Sequence, residues 1–119
     1  GDLAKIDDEG YLYIVDRKND MIITGGENVY PREVEELLLS NPSVAECAVV
    51  GKPDAYWGEA IQAFVVTKPG LTITAPDLTA FCRASLAPYK VPKAVHFVDA
   101  LPRNSMGKIL RRKLRDASS

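Results

Sequence analysis

The chain has 119 residues, of which 46% are hydrophobic and 26% charged. That is the mix of an ordinary globular domain, long enough to bury about two thirds of its surface, and it excludes disorder as the main state. No apolar run approaches the roughly 18 residues of a membrane span, and no secretory leader pattern is present.

The net charge of −1 hides an asymmetry: residues 1–60 carry 13 acids and 5 bases, residues 61–119 carry 3 acids and 10 bases. Six of those bases lie between Arg103 and Arg115 with no acid among them. Such a block suggests an anionic partner such as phosphates, with a solvated basic helix face as the plain alternative. Cys47 and Cys82 sit within apolar runs and read as buried free thiols. Two cysteines and the single His96 supply neither a disulfide framework nor a metal site.

In chain order, residues 2–6 and 11–15 read as strands joined at Asp8-Glu9-Gly10, a hairpin. After the polar break 16–20, residues 21–24 predict another strand. Gly25-Gly26 gives a flexible turn, and Val29-Tyr30 closes a second hairpin. Pro31 opens a helix, where a first-turn proline is welcome. Val34, Leu37 and Leu38 form its apolar stripe while Glu33 and Glu36 face water, and Asn41-Pro42 ends it. Residues 44–50 predict a strand broken by Gly51-Lys52-Pro53-Asp54, and residues 60–67 a second strand. Neither alternates cleanly, so both of their faces are expected to be covered.

Thr74 is placed to cap a helix running to Leu86, with Leu78, Phe81, Cys82 and Ser85 on one face. Residues 95–98 read as a third strand, with His96 in a structural role. Residues 101–108 form a polar loop and 109–116 a short basic helix. The expected fold is α+β: a small three-stranded sheet covered by helices and preceded by β-hairpins.

Two stretches are too specific for chance. One runs from Asp16 to Glu35 and contains Gly25-Gly26-Glu27-Asn28-Val29-Tyr30-Pro31; the other is Leu101-Pro102-Arg103-Asn104-Ser105-Met106-Gly107-Lys108-Ile109-Leu110-Arg111-Arg112. With Gly1-Asp2-Leu3 they resemble, in order, motifs of the adenylate-forming superfamily, and the glycine-pair segment favours its acyl- and aryl-CoA ligase branch. The resemblance implies residues 1–18 as the last hairpin of a large N-terminal domain and 19–119 as a mobile C-terminal domain. The chain would then be a piece of a larger enzyme, inactive in isolation. That enzyme would join a carboxylate to ATP, releasing pyrophosphate, and then pass the acyl group from AMP to coenzyme A. ATP with Mg2+ would be held mainly by the large domain, with coenzyme A as co-substrate.

The resemblance also implies roles. Lys108 would be catalytic, since carboxylate and phosphate are both anions and an ammonium between them offsets the charge gathered in the transition state. At 4 Å and an effective dielectric near 20, such a contact is worth about 4 kcal/mol. Asp2 would accept the ribose hydroxyls of ATP, and the fork of Arg17 would touch ribose and phosphate. Asn19 falls at the hinge, where relatives usually carry Asp or Lys. Gly25 and Gly26 would line the path of the thiol arm, with Glu27 orienting that loop and Trp57 beside it. Lys90 and Lys93 would meet the phosphates of coenzyme A, although Val91 stands where some aryl-CoA ligases have arginine. The context Pro102…Gly107-Lys108 resembles sites of reversible acetylation, implying a lysine acetyltransferase as a partner at Lys108.

The other partners implied are the N-terminal domain, a carboxylic acid, ATP and coenzyme A, with neither nucleic acid nor membrane among them. The chain ends without a Ser-Lys-Leu address, and a cytoplasmic location is expected. The competing readings are a small nucleic-acid-binding domain or a non-catalytic interaction module using the basic last helix. The acidic first half and the lack of aromatic–basic interleaving speak against the former.

Overall fold

The computed structural model describes residues 21–117. The first predicted hairpin, the 18/19 domain boundary and Asp2, Arg17 and Asn19 all lie outside the described residues. Strand β1 (Ile22–Thr24) pairs antiparallel with β2 (Glu27–Val29), Ile22 opposite Val29. The two residues between them, Gly25 and Gly26, have φ of 58° and 82°. A two-residue turn with positive φ at both positions matches the twist of its flanking strands, and glycine adopts it most cheaply.

Helix α1 (Pro31–Leu39) starts on its proline and buries Pro31, Val34, Glu35 and Leu38. That spacing is one helical face, and it carries a glutamate. Strands β3 (Val44–Asp54) and β4 (Gly58–Thr67) form a long antiparallel hairpin with a register shift between Val44 and Glu46. The strand break expected at 51–54 is corrected here: Gly51, Lys52, Pro53 and Asp54 pair with Ile61, Ala60, Glu59 and Gly58. Gly51 marks a close approach instead of a turn. A Cβ there would lie 2.8 Å from Ile22 Cγ2 and 3.1 Å from Glu59 Oε2. Pro53 is tolerated because β3 is an edge strand.

The turn itself is Ala55-Tyr56-Trp57. Asp54 Oδ1 accepts from the backbone N–H groups of Tyr56 (2.8 Å) and Trp57 (2.9 Å), an aspartate-made turn. Helix α2 (Ala75–Arg83) is capped as expected, with Thr74 Oγ1 accepting from Asp77 N. It ends three residues earlier than the sequence predicts. The chain continues to Leu86 as a turn closed by Leu86 N on Cys82 O, which leaves Ser85 exposed.

After a single 3₁₀ turn (Pro88–Lys90), β5 (Ala94–Phe97) pairs parallel with β4, one residue ahead of the predicted span. Helix α3 (Arg111–Ala117) starts two residues later than predicted, because Ile109 forms an isolated bridge with Arg103.

The sheet order is β3-β4-β5, and both faces are covered as the unbroken apolar runs imply. On one face Val49, Ile61, Ala63 and Val65 pack with Ile22, Val29, Val34, Leu38, Leu78 and Cys82. On the other Ala48, Val50 and Phe64 pack with Leu101 and Leu114. Both cysteines are free and buried. His96 Nε2 lies 2.7 Å from Gln62 Oε1, and its ring stacks on Phe64. No helix among the described residues is long and apolar enough to cross a membrane.

Candidate functional site

Two loops bring the sequence-predicted residues together in two groups. The first is the β1–β2 hairpin, seated on the β3–β4 turn. Gly25 N donates to Trp57 O at 2.8 Å, and a Cβ on Gly25 would meet Trp57 Cε3 at 3.3 Å. Ile23 N donates to Glu59 Oε1 at 2.7 Å. Lys93 places its ammonium 4.5 Å from the centroid of the Trp57 ring, a cation–π contact. Tyr56, 82% exposed, meets the same tryptophan edge-on. Gly25, Gly26, Trp57 and Lys93 therefore converge on one corner of the domain. Gly26 is the open member: a Cβ there would find nothing within 4 Å. Glu27 is exposed opposite Thr24, and the carboxylate that fastens the hairpin backbone is that of Glu59.

Lys90 is placed differently. Its Nζ donates to Glu33 Oε2 at 2.9 Å, and this hydrogen bond raises its pKa above the ordinary lysine value.

The second group is the loop from Pro102 to Leu110. Asn104 organises it: Oδ1 accepts from Met106 N (2.9 Å) and Lys108 N (3.0 Å). The Asn104 backbone donates to Lys108 O (2.9 Å) and accepts from Gly107 N (2.9 Å). Gly107, at φ 86°, supplies the left-handed residue. Arg103 caps Gly107 O at 2.8 Å and pairs with Glu46 of β3 at 2.7 Å. The loop is thus a fixed turn docked on the sheet, with the Lys108 side chain on its exposed side.

Three residues beyond Lys108, Arg111 Nη2 lies 2.8 and 2.7 Å from the two carboxylate oxygens of Glu35. Glu35 Oε2 also accepts from Val49 N at 2.8 Å, and Glu35 O takes the Cys47 thiol. Burial, reinforced by the Glu35 charge, pushes Cys47 up to about 12, and burial raises Cys82 as well. Both are inert thiols at neutral pH.

Three ion pairs, Lys90–Glu33, Arg103–Glu46 and Arg111–Glu35, join the basic half to the acidic half. Part of the anionic partner suggested by the basic block is therefore the chain's own first half. Glu59, Asn104, Glu35 and Glu46 are absent from the sequence-derived candidates. Among the described residues no group of His, Cys, Asp or Glu is placed to hold a metal ion.

The two groups sit at opposite ends of the β3–β4 hairpin. The eight residue steps from Glu46 to Asp54 span about 26 Å at strand rise. The arrangement sets the two groups at separate corners of the domain.

Residues 33–108 match the family model described as AMP-binding enzyme C-terminal domain. The chain is 56% identical over 115 residues to a 2-succinylbenzoate–CoA ligase of Bacillus cytotoxicus, covering 97% of this chain and 24% of that protein. It is 54% identical over 114 residues to a long-chain-fatty-acid–CoA ligase of Bacillus subtilis, covering 96% and 20% respectively. Among solved structures, ATP-bound MatB from Rhodopseudomonas palustris superimposes with a TM-score of 0.82 at 44% identity, over 84% of this chain and 20% of that one. The chain thus spans about a quarter or less of the length of these relatives.

Proposed function

As this chain belongs to the AMP-binding enzyme C-terminal domain family, we propose that it is the small mobile domain of an AMP-forming ligase that joins a carboxylic acid to coenzyme A. The observation that carries this reading is the placement of two candidate loops at opposite ends of one hairpin. Loops anchored near Glu46 and near Asp54, about 26 Å apart along the strand, do not meet a single reacting centre together. A domain that turns between two half-reactions uses each in turn.

In the first half-reaction Lys108 faces the large domain. Its ammonium lies between the substrate carboxylate and the α-phosphate of ATP and offsets the charge that gathers as they join. Asp2 holds the ribose hydroxyls and Arg17 the ribose and phosphate. The domain then swings about Asn19. In the second half-reaction the glycine-pair corner meets the large domain. The pantetheine arm passes the open side of Gly26, Trp57 flanks it, and Lys93 meets the nucleotide phosphates. Lys90, at the end of the 3₁₀ turn, supports that phosphate contact while held by Glu33. Glu27 borders the same loop.

The Mg2+ that accompanies ATP belongs to the large domain in this reading. The carboxylic acid is recognised there too in this reading. Acetylation of Lys108 would remove its charge and switch adenylation off. A cytoplasmic location fits an enzyme supplied with ATP and coenzyme A.

The test is ATP–pyrophosphate exchange with a panel of carboxylic acids. The 119-residue chain alone is expected to be inactive, and the enzyme carrying the large domain active. Turnover by the chain alone would overturn the account of it as half a site.

A further inference from the structure

We infer that Asn104 is the positioning residue for Lys108, acting on its backbone to fix where the ammonium is delivered. This rests on the reading of Lys108 as the adenylation lysine. Both backbone polar groups of Lys108 are held by one residue: its N–H by Asn104 Oδ1 (3.0 Å) and its carbonyl by Asn104 N (2.9 Å). The same side-chain oxygen accepts from Met106 N, and the Asn104 carbonyl takes Gly107 N. Four hydrogen bonds from one asparagine therefore define every corner of the turn that carries Lys108.

A lysine stem has four rotatable bonds, so a fixed loop backbone narrows where its ammonium can be delivered. Asparagine suits the task because its short amide oxygen reaches N–H groups two and four residues on without bending the chain. Gly107 at φ 86° turns the Lys108 N–H back toward that oxygen. The turn is in turn seated by Arg103, which holds Gly107 O and Glu46 together. The loop tip is exposed, so none of this is required to bury a core, and the cost of losing it falls on placement.

The experiment compares Asn104→Ala, Asn104→Asp and Lys108→Ala in the ligase that carries this domain, measuring the two half-reactions separately. Aspartate retains an acceptor for both N–H groups. Asn104→Ala is expected to lower kcat for adenylation by about tenfold to 10²-fold, the scale of a small misplacement. The KM for ATP should change little, and thioester formation from supplied acyl-adenylate should be untouched. Asn104→Asp should recover most of the loss. In the Lys108→Ala background, Asn104→Ala should add nothing. Normal adenylation in Asn104→Ala, equal damage to both half-reactions, or full additivity with Lys108→Ala would each overturn the inference. Should Lys108→Ala itself leave adenylation intact, the assignment of Lys108 fails instead. The clamp is then judged by amide exchange in the 119-residue chain. Asn104→Ala must speed exchange at Met106 and Lys108 and Asn104→Asp must not, and unchanged protection in Asn104→Ala would overturn it.

Discussion

The Gly25-Gly26 hairpin and the Lys108 loop both turn on glycines of positive φ, yet one is fastened outward to the sheet and the other mainly within itself. The hairpin leans on the sheet through Ile22, buried beside Gly51, through Trp57, and through hydrogen bonds from Gly25 N to Trp57 O and from Ile23 N to Glu59 Oε1. The Lys108 loop is held by polar groups: the asparagine clamp and the Arg103–Glu46 pair. Contacts to the sheet, apolar and hydrogen-bonded, set the first loop's distance and leave its Gly26 tip open. Hydrogen bonds set the second loop's internal shape. In the proposed reading one loop admits a thin ligand arm and the other aims a charge, and the two fastenings suit those tasks.

The sharpest way to break this comparison is to remove one loop's function and watch the other. In the complete enzyme, Lys108→Ala should cut adenylation by about 10² to 10³, the cost of losing one charge-stabilising donor, and leave thioester formation intact. Equal loss in both half-reactions would merge the two corners into one site. Gly26→Leu should show the opposite profile, with transfer to coenzyme A falling about 10²-fold, a scale set by misplacement of the reacting group. A Cβ at Gly26 meets nothing within 4 Å, so apart from about 1–2 kcal/mol for a side chain at φ 82°, blockage should appear there without collapse of the fold. Normal thioester turnover would place the thiol path elsewhere.

Stability separates the fastenings next. Glu35→Ala strips Arg111 and Val49 N of their shared carboxylate. Removing one partner of a buried pair costs about 3–5 kcal/mol. Glu35 and Arg111 keep 11% and 21% side-chain exposure, so we expect a smaller loss, about 2–3 kcal/mol, read by urea denaturation of the chain. Gly25→Ala should cost about 2 kcal/mol, part from the left-handed φ and part from the Trp57 ring 3.3 Å away. Gly107→Ala, with open space around it, should cost only the conformational part, about 1 kcal/mol. Equal losses would show that Trp57 yields freely and that the hairpin is not pinned by it.

A last effect is one of pH. Cys47 lies at about 12 in the fold against an ordinary 9.0. A folded pKa above the unfolded one gives stability that is whole below pH 9 and drains as pH climbs toward 12. The decline is at most about 1.4 kcal/mol per pH unit. Denaturation of the parent chain and of Cys47→Ala at pH 8 and pH 10.5 should give a shallower decline in the variant, and parallel declines would remove Cys47 from that balance.

How much of this was legible in the sequence varies with the kind of signal. Pro31, the Val34–Leu38 spacing and the Thr74 cap are local, and the helices they specify are present. Gly51-Lys52-Pro53-Asp54 reads as a turn by every local rule. Only the packing of Ile22, 29 positions earlier, explains why the strand passes through it. At the candidate site the glycine pair, Trp57 and Lys108 stood out through their motifs, whereas their supports did not. Glu35 looks like one of three helix-surface acids between Glu33 and Glu36. Yet the spacing 31, 34, 35, 38 already sets it on the apolar face, a signal available to a stricter count. Asn104 carried the mark of an asparagine turn, hidden among other turn residues. Glu59 and Glu46 had no sequence signal, since their partners are 36 and 57 positions away.

The position of Glu35 bears on how such a domain behaves among its own copies. Strand β3 ends the sheet, and an open strand edge is a template on which a second chain can zip. At Val49, in the middle of that edge, the outward N–H is already spent on a carboxylate, and that carboxylate is itself gripped by Arg111 from the far side. A neighbouring strand would find the donor occupied and a charged bracket across its path. If the domain swings as proposed, it exposes this flank at each turnover with the Val49 donor already closed to the next molecule.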